Sequence, residues 1–195
     1  MIEYLKGRLI EKSPTHAVIE CGGIGYYVNI SLNTFSHMGD EELCQLFIHE
    51  VIREDSRSLF GFADLQERWI FKLLISVSGV GATTARMILS SLGPDEVASS
   101  ILMGDVGVMK AVKGIGAKTA QRIIVDLHDK IQGGKSKEIE KVSISGNTTK
   151  SEALSALSSL GFDNTKANKT LDLILMQEGN NIALEELIKL ALKQL

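Results

Sequence analysis

The feature that most constrains this chain is a fourteen-residue pattern that occurs twice. One copy reads Gly79-Val80-Gly81-Ala82-Thr83-Thr84-Ala85-Arg86-Met87-Ile88-Leu89-Ser90-Ser91-Leu92. The other begins 35 residues later and reads Gly114-Ile115-Gly116-Ala117-Lys118-Thr119-Ala120-Gln121-Arg122-Ile123-Ile124-Val125-Asp126-Leu127. Seven of the fourteen positions are identical and the apolar ones keep helical spacing, so the chain contains an internal duplication. Ahead of the first copy, Trp69, Ile70, Leu73, Leu74 and Val77 also recur at helical spacing. Each unit is therefore helix, Gly-x-Gly, helix. Two glycines around one aliphatic residue permit a turn too tight for side chains. The aliphatic residue, Val80 or Ile115, is expected to tuck back between the helices.

Such a turn leaves backbone N–H groups bare at a helix N-terminus, where orphan donors and the helix dipole both favour an anion. In the second copy Lys118 and Arg122 lie four apart on one helical face, with Thr119 beside them. That combination suits a nucleic-acid phosphate. The alternative is a helical corner whose glycines serve packing only; two copies, one carrying a Lys and an Arg, favour phosphate. The candidate contacts are Gly79, Val80, Gly81 and Thr83 in the first hairpin. In the second they are Gly114, Ile115, Gly116, Lys118, Thr119 and Arg122. Ala82-Thr83-Thr84 supplies no cation, so the first hairpin would bind through backbone amides and hydroxyls, and the role of Arg86 stays open. The pattern resembles the helix-hairpin-helix motif of sequence-independent DNA-binding proteins.

Charge is distributed accordingly. The net charge is −3, with 21 basic and 24 acidic residues. Residues 1–63 carry 5 basic and 9 acidic groups, and residues 64–130 carry 8 and 7. Residues 131–150 carry 4 and 2, and residues 151–195 carry 4 and 6. Positive charge gathers at the hairpins and the segment after them, so affinity would rest on localised contacts and multivalency rather than on a basic coat.

The rest of the chain divides around this centre. Residues 1–63 read as five short strands (Leu5–Ile10, His16–Cys21, Tyr26–Ile30, Leu43–His49, Val51–Phe60) between turns such as Gly22-Gly23-Ile24-Gly25, which suggests a small closed barrel. Its aromatics (Tyr4, Tyr26, Tyr27, Phe35, Phe47) are few and several fall at core positions, which disfavours single-strand stacking. Asp64 with Glu67 reads as a capping box opening a helical domain over 64–132. Residues 133–148 have few large apolar residues and read as a flexible linker. Residues 149–195 read as three helices, opened by a capping box at Thr149–Glu152, with Asp163 and Asn181 as further caps.

Beyond the hairpins, four stretches (Gly7-Arg8-Leu9-Ile10, Gly22-Gly23-Ile24-Gly25-Tyr26, Val51-Ile52-Arg53-Glu54-Asp55 and Leu59-Phe60-Gly61-Phe62) resemble the RuvA family, in order along the whole chain. That resemblance implies a multidomain α+β protein: an OB-fold barrel, a tandem helix-hairpin-helix domain and a C-terminal three-helix module similar to ubiquitin-associated domains. It implies binding of four-way (Holliday) junction DNA by a homotetramer or octamer, in the bacterial cytoplasm. It makes Glu54 and Asp55 an acidic pin at the centre of the DNA-binding face. It implies docking of the hexameric RuvB ATPase by the three-helix module, and RuvC resolvase as a further partner. The surplus apolar residues of the last helix, Leu187, Ile188, Leu190 and Leu192 among them, are candidates either for that docking face or for the module's core.

Other chemistry finds little support. Gly134-Lys135-Ser136 fails the nucleotide-loop template, which needs glycine where Asp129 stands. The four histidines and two cysteines are scattered without metal or catalytic spacing, so no catalytic residue, cofactor or metal is expected. No apolar run approaches membrane-spanning length. A hairpin-bearing glycosylase or nuclease remains a rival, with Asp126 as its nearest acid/base candidate; an adaptor in which the hairpins are scaffold is another.

Overall fold

The computed structural model describes residues 1–39, 41–142, 148–179 and 182–195, with residues 134–142 and 148 as backbone only. It divides into two compact units, Met1–Ser136 and Lys137–Leu195.

The first unit begins with strands β1 (Tyr4–Lys12), β2 (His16–Cys21), β3 (Ile24–Ile30), β4 (Leu43–Ile52) and β5 (Arg57–Phe62), with helix α1 (Leu32–His37) between β3 and β4. They close into a barrel in the order β1-β2-β3-β5-β4, antiparallel except for the β3–β5 pairing. This is the closed barrel that the strand pattern suggested and the OB-fold that the family resemblance implied. The last two strands differ from expectation: β4 continues through Val51 and Ile52, and the turn falls at residues 53–56, where the polar run Arg53-Glu54-Asp55-Ser56 has nothing to bury. Leu5, Ala17, Ile19, Val28, Ile30, Leu46, Ile48 and Leu59 fill the barrel by period-two alternation.

Strand β5 is buried on both faces. Leu59 faces the barrel, while Phe60 and Phe62 belong to the core of the helical part. Between them Gly61 lets the strand approach its neighbours; a Cβ there would stand 2.5 Å from Val28 Cγ1. Phe60 and Phe62 share that core with residues of α2 (Leu65–Ile75), which packs on β4 and β5, and of α3 (Ala82–Ser91), α4 (Pro94–Met103), α5 (Val106–Ala111) and the first part of α6 (Ala117–Val142). Phe71 of α2 meets Phe60, Phe62 and His49 at ring-centroid distances of 5.2, 4.9 and 5.5 Å.

Two capping expectations and the linker boundary need correction. Asp64 does cap α2, accepting from the Glu67 amide at 2.7 Å, but the Glu67 side chain turns inward and does not complete a box. The helix α6 runs on to Val142, through ten residues expected as linker. The Lys- and Glu-rich sequence there has enough helix propensity to outweigh two glycines. Residues 143–147 of that linker lie outside the described residues.

The second unit contains α7 (Thr148–Ser159), α8 (Asn164–Glu178) and α9 (Leu184–Gln194) around a core of Ala153, Leu157, Ala167, Leu171, Ile174, Leu187 and Ala191. Asp163 caps α8 as expected, accepting from the Thr165 and Lys166 amides at 3.0 Å. Thr149 already lies inside α7, so it is not the cap. Ala183 occupies the cap position of α9, and Asn181 lies outside the described residues.

Candidate nucleic-acid interface

The duplication seen in the sequence is repeated at the level of single hydrogen bonds. In the first hairpin the Val77 amide donates to Leu74 O (3.1 Å), Val80 to Val77 O (3.0 Å) and Ala85 to Gly81 O (2.9 Å). In the second, Val112 donates to Met109 O (3.4 Å), Ile115 to Val112 O (3.1 Å) and Ala120 to Gly116 O (2.9 Å). Gly79 and Gly114 take φ of 92° and 89°, a conformation side chains resist. Val80 and Ile115 are 5% and 6% exposed and share one core, so the aliphatic residues tuck in as the pattern predicted.

The second glycines do a different job. Gly81 is extended (φ −86°) and Gly116 lies outside the left-handed region, so neither is demanded by backbone conformation. A Cβ on either would meet nothing within 4 Å. Both are exposed at helix starts, and Gly81 provides no side-chain cap. What their missing side chains leave open is the approach of another molecule to first-turn amides.

Around the second turn the side chains supply charge. Lys118 is exposed and makes no hydrogen bond or ion pair among the described residues, with Lys110 and Lys113 exposed on the helix and turn before it. Arg122 is exposed and donates to Ser78 O of the first turn at 3.3 Å, and Lys130 reaches Ser76 Oγ at 3.5 Å. The two turns are therefore neighbours. Thr83 occupies the position of Lys118 in the first copy and is exposed; Thr84 and Thr119, which match each other, are both half-buried.

Glu54 and Asp55 stand exposed at the tip of the β4–β5 hairpin, closed by the Arg53 amide on Ser56 O at 2.8 Å. Its base is held by the Arg57–Glu50 ion pair, which keeps the Glu50 carboxyl below the usual range. Tyr4 and Tyr27 are the exposed tyrosines of the barrel; Tyr27 stacks on His16 at 4.6 Å, while Tyr26 and Phe35 pack on the core. No aromatic row for stacking bases is formed by these residues.

Sequence reasoning missed a polar seam between barrel and helices. Glu67 is fully buried and accepts from Ser31 Oγ and from Thr34 Oγ1 (2.7 Å), both at α1. Burial raises its pKa, against the opposing hydrogen bonds. Arg68 pairs with Glu3 at 2.6 Å and donates to Ile48 O at 3.3 Å. Arg86 donates to Thr15 O and Asn29 Oδ1, both at 3.0 Å, and the Leu32 amide donates to Ser90 Oγ at 3.1 Å. The sequence offered one signal: Arg86 and Ser90 are positions where the copies differ, matching Gln121 and Val125, which are exposed.

In the C-terminal unit the four candidate docking residues separate. Leu187 is fully buried and belongs to the core, which corrects its assignment to a docking face: it sits one turn before Ala191 on the inward side of α9. Ile188 and Leu190 pack partly against that core, and Leu192 is 43% exposed. Leu173 and Met176 of α8, not anticipated, are 56% and 83% exposed. Among the described residues no three His, Cys, Asp or Glu side chains are placed to hold a metal ion. No described helix is long and apolar enough to cross a membrane.

A closed OB barrel fused to paired helix-hairpin-helix motifs, with exposed cations at one turn, defines a tandem-hairpin protein of the DNA-binding class. Comparison with known proteins makes this specific. Residues 1–61 match the RuvA N terminal domain, residues 71–129 the SAM-like helix-hairpin-helix tandem, and residues 149–195 the RuvA C-terminal domain. The chain is 54% identical to a protein of Christiangramia forsetii over 195 residues, 50% to one of Flavobacterium psychrophilum over 196 and 48% to one of Bacteroides fragilis over 202. Each alignment covers 100% of both chains, and each relative is named Holliday junction branch migration complex subunit RuvA. The chain belongs to the RuvA family.

Proposed function

We propose that this protein binds four-way DNA junctions irrespective of sequence and delivers them to a RuvB-type hexameric ATPase that drives branch migration. The observation that carries the reading is the doubled hairpin: two adjacent turns, each with a left-handed first glycine, a buried aliphatic residue and an open second glycine. Each pair would grip one phosphate backbone. First-turn amides donate to phosphate oxygens, and Lys118 and Arg122 neutralise charge without reading base edges.

Selectivity for a junction comes from Glu54 and Asp55. Their carboxylates repel phosphates approaching the centre of the face, so a continuous duplex is penalised while strands diverging into arms avoid them. Four copies, or eight on two faces, present one pair of hairpins to each arm. The second unit recruits the motor through exposed apolar side chains, Leu192 among them, and a RuvC-type resolvase is the further partner the family resemblance implies. The protein acts in the cytoplasm, at the nucleoid when bound to DNA. In this reading the residues carry binding and no bond-breaking step, and Asp126 is an exposed residue of α6.

The test is a gel-shift comparison of a four-way junction with duplex of equal length, repeated with unrelated arm sequences. Tighter junction binding that does not change with sequence is the expected result. Equal affinity for both, or cleavage of either, would overturn the reading.

A further inference from the structure

The two hairpins are near-copies, yet they are attached differently. Helices of the first hairpin are tied to the barrel side by several hydrogen bonds. Glu67 and Arg68 of α2 hold α1, Glu3 and Ile48, and Arg86 and Ser90 of α3 hold Thr15, Asn29 and Leu32. At the positions matching Arg86 and Ser90, the second copy carries Gln121 and Val125, both exposed. The same α2 packs through Phe71 on β4 and β5, the strands that end in Glu54 and Asp55. A continuous path of packed side chains thus joins the first hairpin to the strands that carry the acidic tip.

We infer that Arg86, with Asn29 as its receiver on the barrel, is a positioning residue for junction selectivity: it fixes the first hairpin relative to the acidic tip and does not itself contact phosphate. This rests on the junction-binding reading and deepens it. Repulsion from the tip discriminates junction from duplex only if the phosphates are held at a set distance from it. A hairpin free to swing would let duplex settle away from the carboxylates. Arg86 suits the role because one guanidinium nitrogen spends its hydrogens on two acceptors from β3 and the β1–β2 turn, Asn29 Oδ1 and Thr15 O, and Asn29 is itself fixed by donating to Leu59 O at 3.1 Å. The one cation in the first copy's sequence is thereby turned toward the barrel, while that copy offers Thr83 where the second offers Lys118.

The experiment measures junction and duplex affinity against salt for wild type, Arg86→Gln, Asn29→Ala and the double variant, in the full-length protein, with melting curves to confirm folding. Arg86→Gln installs the residue the second copy carries, and Asn29→Ala alters the barrel side with no change of charge. The junction-to-duplex affinity ratio should fall about five- to tenfold in each single variant. The double variant should be no worse than either, and the duplex salt slope should stay at the wild-type value. A lower slope in Arg86→Gln with an inert Asn29→Ala would make Arg86 a phosphate contact and overturn the inference. Unchanged ratios in both single variants would overturn it as well. A wild-type protein without junction preference would fail earlier, removing the functional reading and this inference with it.

Discussion

The two glycines of each hairpin should fail differently when replaced, and the structure says how. Gly114 sits at φ 89° with open space around its missing Cβ, so Gly114→Ala costs backbone strain and little else. That strain is about 1–2 kcal/mol, or about 2–8 °C in melting temperature for a unit of this size. Gly116 needs no special φ and precedes the first turn of α6, with the Ala120 amide on its carbonyl at 2.9 Å. Serine is a better helix cap than glycine by only a few tenths of a kcal/mol, so Gly116→Ser should leave melting within about 1–2 °C of wild type. Its hydroxyl would, however, occupy the amides proposed for phosphate. A hydrogen bond to a charged group is worth about 1.5–3 kcal/mol, so duplex affinity should drop roughly ten- to hundredfold. Differential scanning calorimetry and fluorescence anisotropy on a labelled duplex read the two effects. A Gly116→Ser protein that keeps wild-type affinity would refute the claim that open amides hold the backbone.

Further outcomes follow from the same geometry. Neutralising the tip by Glu54→Gln with Asp55→Asn should tighten duplex binding at low salt and shrink the junction preference; unchanged or weaker duplex binding in gel shifts would count against the tip's role. Removing residues 149–195 should leave junction binding nearly intact and abolish stimulation of the motor's ATPase, both measurable with purified partners. Leu187→Ala should cost about 2–5 kcal/mol, enough to melt a small three-helix unit, whereas Leu192→Ala should stay within about 0.5 kcal/mol and weaken motor stimulation; circular dichroism and ATPase assays separate them. Glu67 has a raised folded pKa because burial disfavours its charged form. Its protonated form is favoured in the fold, so its contribution is best at acid pH and declines as pH rises from the ordinary glutamate range through the raised value. Urea unfolding should therefore show wild type losing stability relative to Glu67→Gln over that window.

Much of this fold was legible because it rests on periodicity and on repeated turn chemistry. The Gly-x-Gly pairs predicted both turns and the burial of Val80 and Ile115, since so short a link can be closed only by tucking its apolar residue inward. The barrel was legible from strand length and alternation. The pattern alone did not say which glycine of each pair carries the positive φ and which clears a path. Leu187 was ambiguous for a different reason: the apolar residues of α9 form one broad face, and only the packing of α7 and α8 selects which of them are fully buried. The seam through Glu67, Arg68 and Arg86 left no trace in hydropathy. A buried carboxylate looks like a solvated one in sequence, and its hydroxyl partners, Ser31 and Thr34, lie 36 and 33 residues away.

The central claim is that the second hairpin holds DNA by its phosphates, and the salt dependence of Lys118→Ala tests it most directly. Lys118 is exposed and unpaired among the described residues, so its removal should cost no fold stability. Affinity should fall alike for all duplex sequences, and the slope of log affinity against log salt should drop by about 0.9 for each phosphate that a subunit no longer neutralises. A Lys118→Ala protein whose slope matches wild type would mean that this hairpin does not touch phosphate.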